Sequence, residues 1–108
     1  MSWTSLCELG EVPDGKGKYV EIGGFQLAVF REGGSVYVMD NTCPHAGGPL
    51  AEGDVEDGCV VCPWHYWCFR LDTGELNNAV AVKIKTYPTR LLDREGAATL
   101  VQADLPIY

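Results

Sequence analysis

Residues 18–40 read KYVEIGGFQLAVFREGGSVYVMD. Three apolar runs are separated by two glycine pairs, Gly23-Gly24 and Gly33-Gly34. A glycine pair between β-type runs is a hairpin signal, because a two-residue type I′ turn needs positive φ at both central positions. Residues 18–22 alternate, 25–31 resume after the first turn, and 35–40 follow the second. The stretch reads as an antiparallel meander of three strands.

Beyond the meander the character changes. Residues 41–58, NTCPHAGGPLAEGDVEDG, crowd Pro44, Gly47, Gly48 and Pro49 together and read as a loop. Residues 59–62 form a short apolar strand, PWHY (63–66) a second loop, and 67–71 a strand closed by the turn Asp72-Thr73-Gly74. Residues 80–87 alternate as one strand, with Val80, Val82 and Ile84 on one side and Lys83 and Lys85 on the other. Residues 89–93 and 98–103 form a last hairpin around Arg94-Glu95-Gly96. No window holds a helical period over about 11 residues. The fold class is all-β, in one domain spanning 1–108, with two loops standing off the strands.

Each loop carries a cysteine followed closely by a histidine: Cys43-Pro44-His45 and Cys62-Pro63-Trp64-His65, with 16 residues between His45 and Cys62. The chain has only 2 histidines, and both are here. Two thiolates and two imidazoles can hold tetrahedral zinc or an iron–sulfur cluster. Cys₂His₂ zinc fingers usually group cysteines with cysteines and histidines with histidines on a helix. Here each loop supplies one of each and no helix follows, which suits a two-iron centre. The prolines after both cysteines stiffen the loops.

Cys-x-His, 16 residues, then Cys-x-x-His resembles the Rieske ferredoxin family over nearly the whole chain. The resemblance implies an antiparallel β-sandwich with two cluster-binding loops at one tip, at about 41–53 and 62–68. It implies one [2Fe–2S] cluster per chain, with Cys43 and Cys62 on one iron and His45 and His65 on the other, outer iron. Rieske proteins of cytochrome complexes add a disulfide between the loops. The matching positions here are Gly48 and Trp64, which cannot form it. Those proteins also place a serine and a tyrosine where this chain has Trp67 and Phe69. Hydrogen bonds to cluster sulfurs stabilise the reduced state, so their absence implies a potential nearer about −150 mV than +300 mV.

The stretches CPHAGGPLAEG (43–53) and CPWHYWCFRLDTGE (62–75) are similar to the small subunit of NAD(P)H-dependent nitrite reductases. That setting implies electron delivery toward a sirohaem subunit. A stand-alone ferredoxin between a flavin reductase and a Rieske oxygenase is the alternative, and a redox sensor a third role. With both histidines committed, no nucleophile pair or mononuclear iron site remains, so the chain is not expected to be catalytic alone.

The formal net charge is −7, from 8 basic and 15 acidic residues. That argues against nucleic acid and anionic membranes as partners. Glu52, Asp54, Glu56 and Asp57 either steer a basic redox partner or are simply a solvated turn. Residues 1–15, MSWTSLCELGEVPDG, show neither the charged nor the apolar region of a secretory signal. No stretch approaches the ~20 apolar residues of a membrane span. An odd count of 5 cysteines fits a reducing compartment, and a cytoplasmic location is expected. Cys7, Cys59 and Cys68 read as small buried hydrophobes, with a redox or ligand role left open. Trp64 and Tyr66 are expected near the surface, Trp67 and Phe69 toward the core.

Overall fold

The computed structural model describes residues 2–42, 49–63, 67–76 and 79–106, with only the backbone described for residues 2 and 79–82. Among them run strands β1 (Ser2–Glu8), β2 (Gly17–Ile22), β3 (Phe25–Glu32), β4 (Ser35–Asp40), β5 (Asp54–Glu56) and β6 (Cys59–Val61). They continue as β7 (Cys68–Arg70), β8 (Glu75–Leu76), β9 (Ala79–Lys83), β10 (Thr86–Tyr87), β11 (Thr89–Arg94) and β12 (Ala97–Leu105). Short 3₁₀ turns occupy Leu9–Glu11 and Leu50–Glu52. All strand pairs are antiparallel. No helix of the described residues is long and apolar enough to cross a membrane.

The meander turns at both glycine pairs, although in the second only Gly33 takes positive φ. Gly23 and Gly24 sit at φ 56° and 85°, and the turn pairs Ile22 with Phe25. β2, β3 and β4 then join β10 in a central sheet of order β10-β4-β3-β2. The unbroken apolar run Leu27-Ala28-Val29-Phe30 shows why this sheet is central, because all four residues are fully buried. Alternate side chains of a strand point to opposite faces. Leu27 and Val29 enter one core with Val38, Tyr87, Val101 and Leu105. Ala28 and Phe30 enter another with Met39, Leu50, Val60 and Phe69. The sheet β1-β12-β11 covers the first face, and the sheet β5-β6-β7-β8-β9 covers the second. Burying Phe30 and Phe69 completely contributes about 1.5–3 kcal/mol each.

Two sequence expectations are corrected. Residues 54–56 form β5, not loop, pairing Asp54 with Val61 and Glu56 with Cys59. Only Val55 faces inward from so short a strand, and one apolar residue makes no period. The strand read at 67–71 forms as β7, where Cys68 pairs with Val61. Residues 80–87 are not one strand. The chain leaves the outer sheet after Lys83 and rejoins the central sheet at Thr86, where β10 pairs with β4. At the crossing the Ile84 N–H donates to the Gly74 carbonyl (2.8 Å) and the Asp40 N–H to the Lys85 carbonyl (3.0 Å). Ile84 fills one core and Tyr87 the other, so apolar spacing carries on across the break and conceals it.

Cys7 gives the fold an alkaline limit. Burial, followed by the charge of Glu11 and against that of Lys18, pushes its thiol from 9.0 up to about 11. An unfolded cysteine releases its proton near the ordinary value while folded Cys7 still holds it. Below that value the group costs nothing; as pH rises from 9.0 to about 11 the unfolded state is favoured, by at most about 1.4 kcal/mol per pH unit. Burial and the hydrogen bond it donates to Asp40 raise Tyr87 in the same sense. Cys7→Ala is expected to flatten the decline of unfolding free energy across that window, measured by urea titration at stepped pH. Identical slopes would remove Cys7 from the account.

Candidate metal centre

Cys43, His45 and His65 lie outside the described residues, as do Trp64 and Tyr66; Cys62 is described. The stems from which both loops spring are described too. Asn41 closes the first stem. Its carbonyl accepts the Leu50 N–H at 2.7 Å, and its Oδ1 accepts the Ala51 N–H at 2.8 Å. Thr42 and Pro49 form an isolated bridge just above. Below, the Asn41 N–H donates to the Gln26 carbonyl (2.9 Å), and Tyr87 Oη donates to Asp40 Oδ1 (2.7 Å). The entry and exit of segment 43–48 are thus held to the central sheet.

The second stem is the β6–β7 hairpin. Beyond the pair Val61–Cys68, the Cys62 N–H donates to the Trp67 carbonyl at 2.8 Å, which closes the stem of the second loop. Cys62 is fully buried, in one apolar cluster with Leu50, Ala51, Val60 and Phe69. Trp67 is half-buried and tilts against Phe69 with ring centroids 6.4 Å apart. Both aromatics face the core as expected, and neither offers a hydroxyl.

The two stems touch. Gly53 ends the short turn after the first loop, and its N–H donates to the Leu50 carbonyl at 2.9 Å. A Cβ at Gly53 would lie 2.1 Å from the Val61 carbonyl oxygen. The backbone leaving the first loop therefore runs directly against the strand that enters the second. This approach holds the described ends of the two stems together. Two thiols and two imidazoles fit a two-iron cluster chemically. Among the described residues no group of three metal-ligating side chains occurs, and only one of the four expected ligands is among them.

Acidic side chains flank the second stem. Glu52, Asp54 and Glu56 line a cleft of about 610 Å³ with Pro63 and Cys68. Asp54 pairs with Lys16, and both are largely exposed, so the pair contributes little to stability. Of the remaining cysteines, Cys7 and Cys59 are buried and Cys68 is half-buried.

Asn41 is a residue the sequence reading did not single out. Its side-chain oxygen imitates a backbone acceptor, a habit of asparagine at turns, but its partner lies across the loop. Asn41→Ala leaves the part-buried Ala51 N–H without that acceptor. The expected loss is about 1–3 kcal/mol, with less iron retained per chain, whereas Asn41→Asp keeps the acceptor and most of both. Unchanged denaturation and iron content in the alanine variant would show that the stem does not depend on this bond.

A family model described as the Rieske [2Fe–2S] domain matches residues 2–88. Apoptosis-inducing factor 3 of Mus musculus and of Homo sapiens is 32% identical over 74 residues, 68% of this chain, and the chain spans only 12% of its length. The ferredoxin component of a naphthalene 1,2-dioxygenase system from Pseudomonas aeruginosa is 33% identical over 100 residues, covering 92% of this chain and 93% of that protein. Among solved structures, a Mycobacterium tuberculosis protein described as an NADH-dependent nitrite reductase small subunit superposes with a TM-score of 0.84 at 28% identity. The match covers 98% of this chain and 97% of that one.

Proposed function

Since the chain belongs to the Rieske [2Fe–2S] domain family, we propose that Cys43, His45, Cys62 and His65 hold one such cluster and that the protein passes single electrons between redox partners. The supporting observation is the contact, through Gly53 and Val61, of the two stems that flank the Cys/His segments in sequence. When bound, a Rieske cluster supplies reversible one-electron exchange. Cys43 and Cys62 would take one iron, and His45 and His65 the other. Burial of Cys62 among apolar neighbours makes a bare thiolate there costly, and ligation to a cation relieves that cost. The protein needs a partner's centre to turn over substrate, and we place it in the cytoplasm.

The finer role we propose is the small subunit of an NAD(P)H-dependent nitrite reductase, delivering electrons toward sirohaem. The loop stretches 43–53 and 62–75 and the likeness to the M. tuberculosis protein support it. A second reading, the ferredoxin between a flavin reductase and a Rieske oxygenase, is favoured by end-to-end similarity to the naphthalene dioxygenase ferredoxin. Neither role calls for nucleic acid or a membrane.

Two measurements test this. Because Trp67 and Phe69 carry no hydroxyl, potentiometric titration should give a midpoint near about −150 mV. The reduced protein is then mixed with a sirohaem nitrite reductase and, separately, with a Rieske oxygenase, and its reoxidation is timed. Fast reoxidation by the sirohaem enzyme alone supports the subunit role, and by the oxygenase alone the ferredoxin role. Stoichiometric zinc without labile sulfide would end the carrier reading.

A further inference from the structure

On the outward face of the outer sheet lies a pair of thiols that the metal centre does not use. Cys59 is paired with Arg70 and Cys68 with Val61. Cys59 and Cys68 therefore share a face as diagonal neighbours on adjacent strands. Val60 and Phe69, opposite one another, point the other way into the core. The Cys68 thiol lies in the electrostatic neighbourhood of Cys59, Glu56 and Asp57. Both cysteines are free thiols; Cys59 is buried and Cys68 more accessible. Cys7 belongs to the other core, across the central sheet, and cannot join them. The two thiols bracket the hairpin loop that carries Cys62 and His65.

We propose that Cys59 and Cys68 form a reversible disulfide when the protein meets an oxidised small-molecule disulfide such as glutathione disulfide, and that this bond locks the base of the second ligand loop. Cys68 attacks first, as thiolate, on one sulfur of glutathione disulfide, and one glutathione leaves and takes up a proton. Cys59 then attacks the Cys68 sulfur of the mixed disulfide and expels the second glutathione, which is protonated in turn. Two electrons and two protons pass from the cysteines to glutathione disulfide, leaving one protein disulfide and two glutathione thiols.

Diagonal Cα separations on antiparallel strands are roughly 7–8 Å, slightly above the usual disulfide limit of about 6.8 Å. Closing the bond draws β6 and β7 together along that diagonal, and a bond made this way is the more easily reduced. Such a bond suits a switch better than a permanent staple. Burial, then the neighbouring Cys59 and nearby negative charge, pushes the Cys68 thiol up to about 12. Little thiolate exists at neutral pH, so closure is slow there and quickens as pH rises.

The test uses cluster-loaded protein, incubated without oxygen with glutathione disulfide at mildly alkaline pH, alkylated, digested and analysed by mass spectrometry. The expected product is a cross-link between the Cys59 and Cys68 peptides, reversed by dithiothreitol and missing in Cys59→Ser and Cys68→Ser. Iron release to a chelator should slow about threefold or more on closure, with no change in either variant. A stable glutathione adduct on Cys68 without the cross-link overturns the proposal, as does a cross-link from either cysteine to Cys62. The cross-link without slower iron release overturns the lock. Cross-linking is repeated on protein never loaded with iron; a bond formed there stands even if the cluster reading fails.

Discussion

Cys62→Ala is expected to yield a folded but colourless protein, its iron reduced from about two atoms per chain to a small residue. Cys62 is buried in an apolar cluster with Leu50, Val60 and Phe69. Alanine is accepted in such surroundings, so the strands persist while the ligand is gone. Loss of colour therefore reports loss of ligation rather than of fold. Iron assay, visible absorption and far-ultraviolet circular dichroism separate the two. His45→Ala is expected to do the same through the opposite iron. Cys59→Ala, on the outward face of β6 just before Cys62, should keep its colour. An unchanged Rieske spectrum in Cys62→Ala or His45→Ala would sink the ligand assignment.

The second large effect is expected at Gly53. Its backbone lies at φ −76° and ψ 162°, which any residue can adopt. The requirement for glycine is therefore contact, not conformation. A Cβ 2.1 Å from the Val61 carbonyl oxygen must push the first loop's exit away from β6, and the obstacle is backbone rather than a yielding side chain. Gly53→Val should cost about 3 kcal/mol, lowering the melting temperature by roughly 10 °C or more, and should impair iron loading by parting the stems. Gly10→Ala is the control, because nothing lies within 4 Å of the added carbon. Its change should stay within about 0.5 kcal/mol. Equal melting of the two variants would show that the stems are not pressed together.

What could be read from residues alone follows from how local each signal is. The meander was legible because Gly23-Gly24 and Gly33-Gly34 state their turns within the strand pairs they join. The last hairpin was legible for the same reason, although β12 runs on to Leu105. The proposed ligand set stands out because both histidines follow a Cys-Pro; three of its members, Cys43, His45 and His65, lie outside the described residues. β5 escaped notice because its inward face is one valine. β1 escaped it because the N-terminal segment takes its register from β12, nearly a hundred residues away. The division between β9 and β10 was hidden by two cores that both ask for apolar side chains. Asn41 and Gly53 were hidden for a related reason, since each answers to a backbone group on another segment.

β3 belongs to two cores at once, its odd positions serving one and its even positions the other. A strand so placed cannot leave either core without deserting both. The outer sheet and the terminal sheet are therefore not separate melting units, although each has its own apolar cluster. The amide protons along β3 are therefore expected to exchange only in molecules that have opened altogether. The first loop is anchored at Asn41, the residue that follows the strand paired with β3, so a centre held by that loop would rest on the part of the chain that opens last.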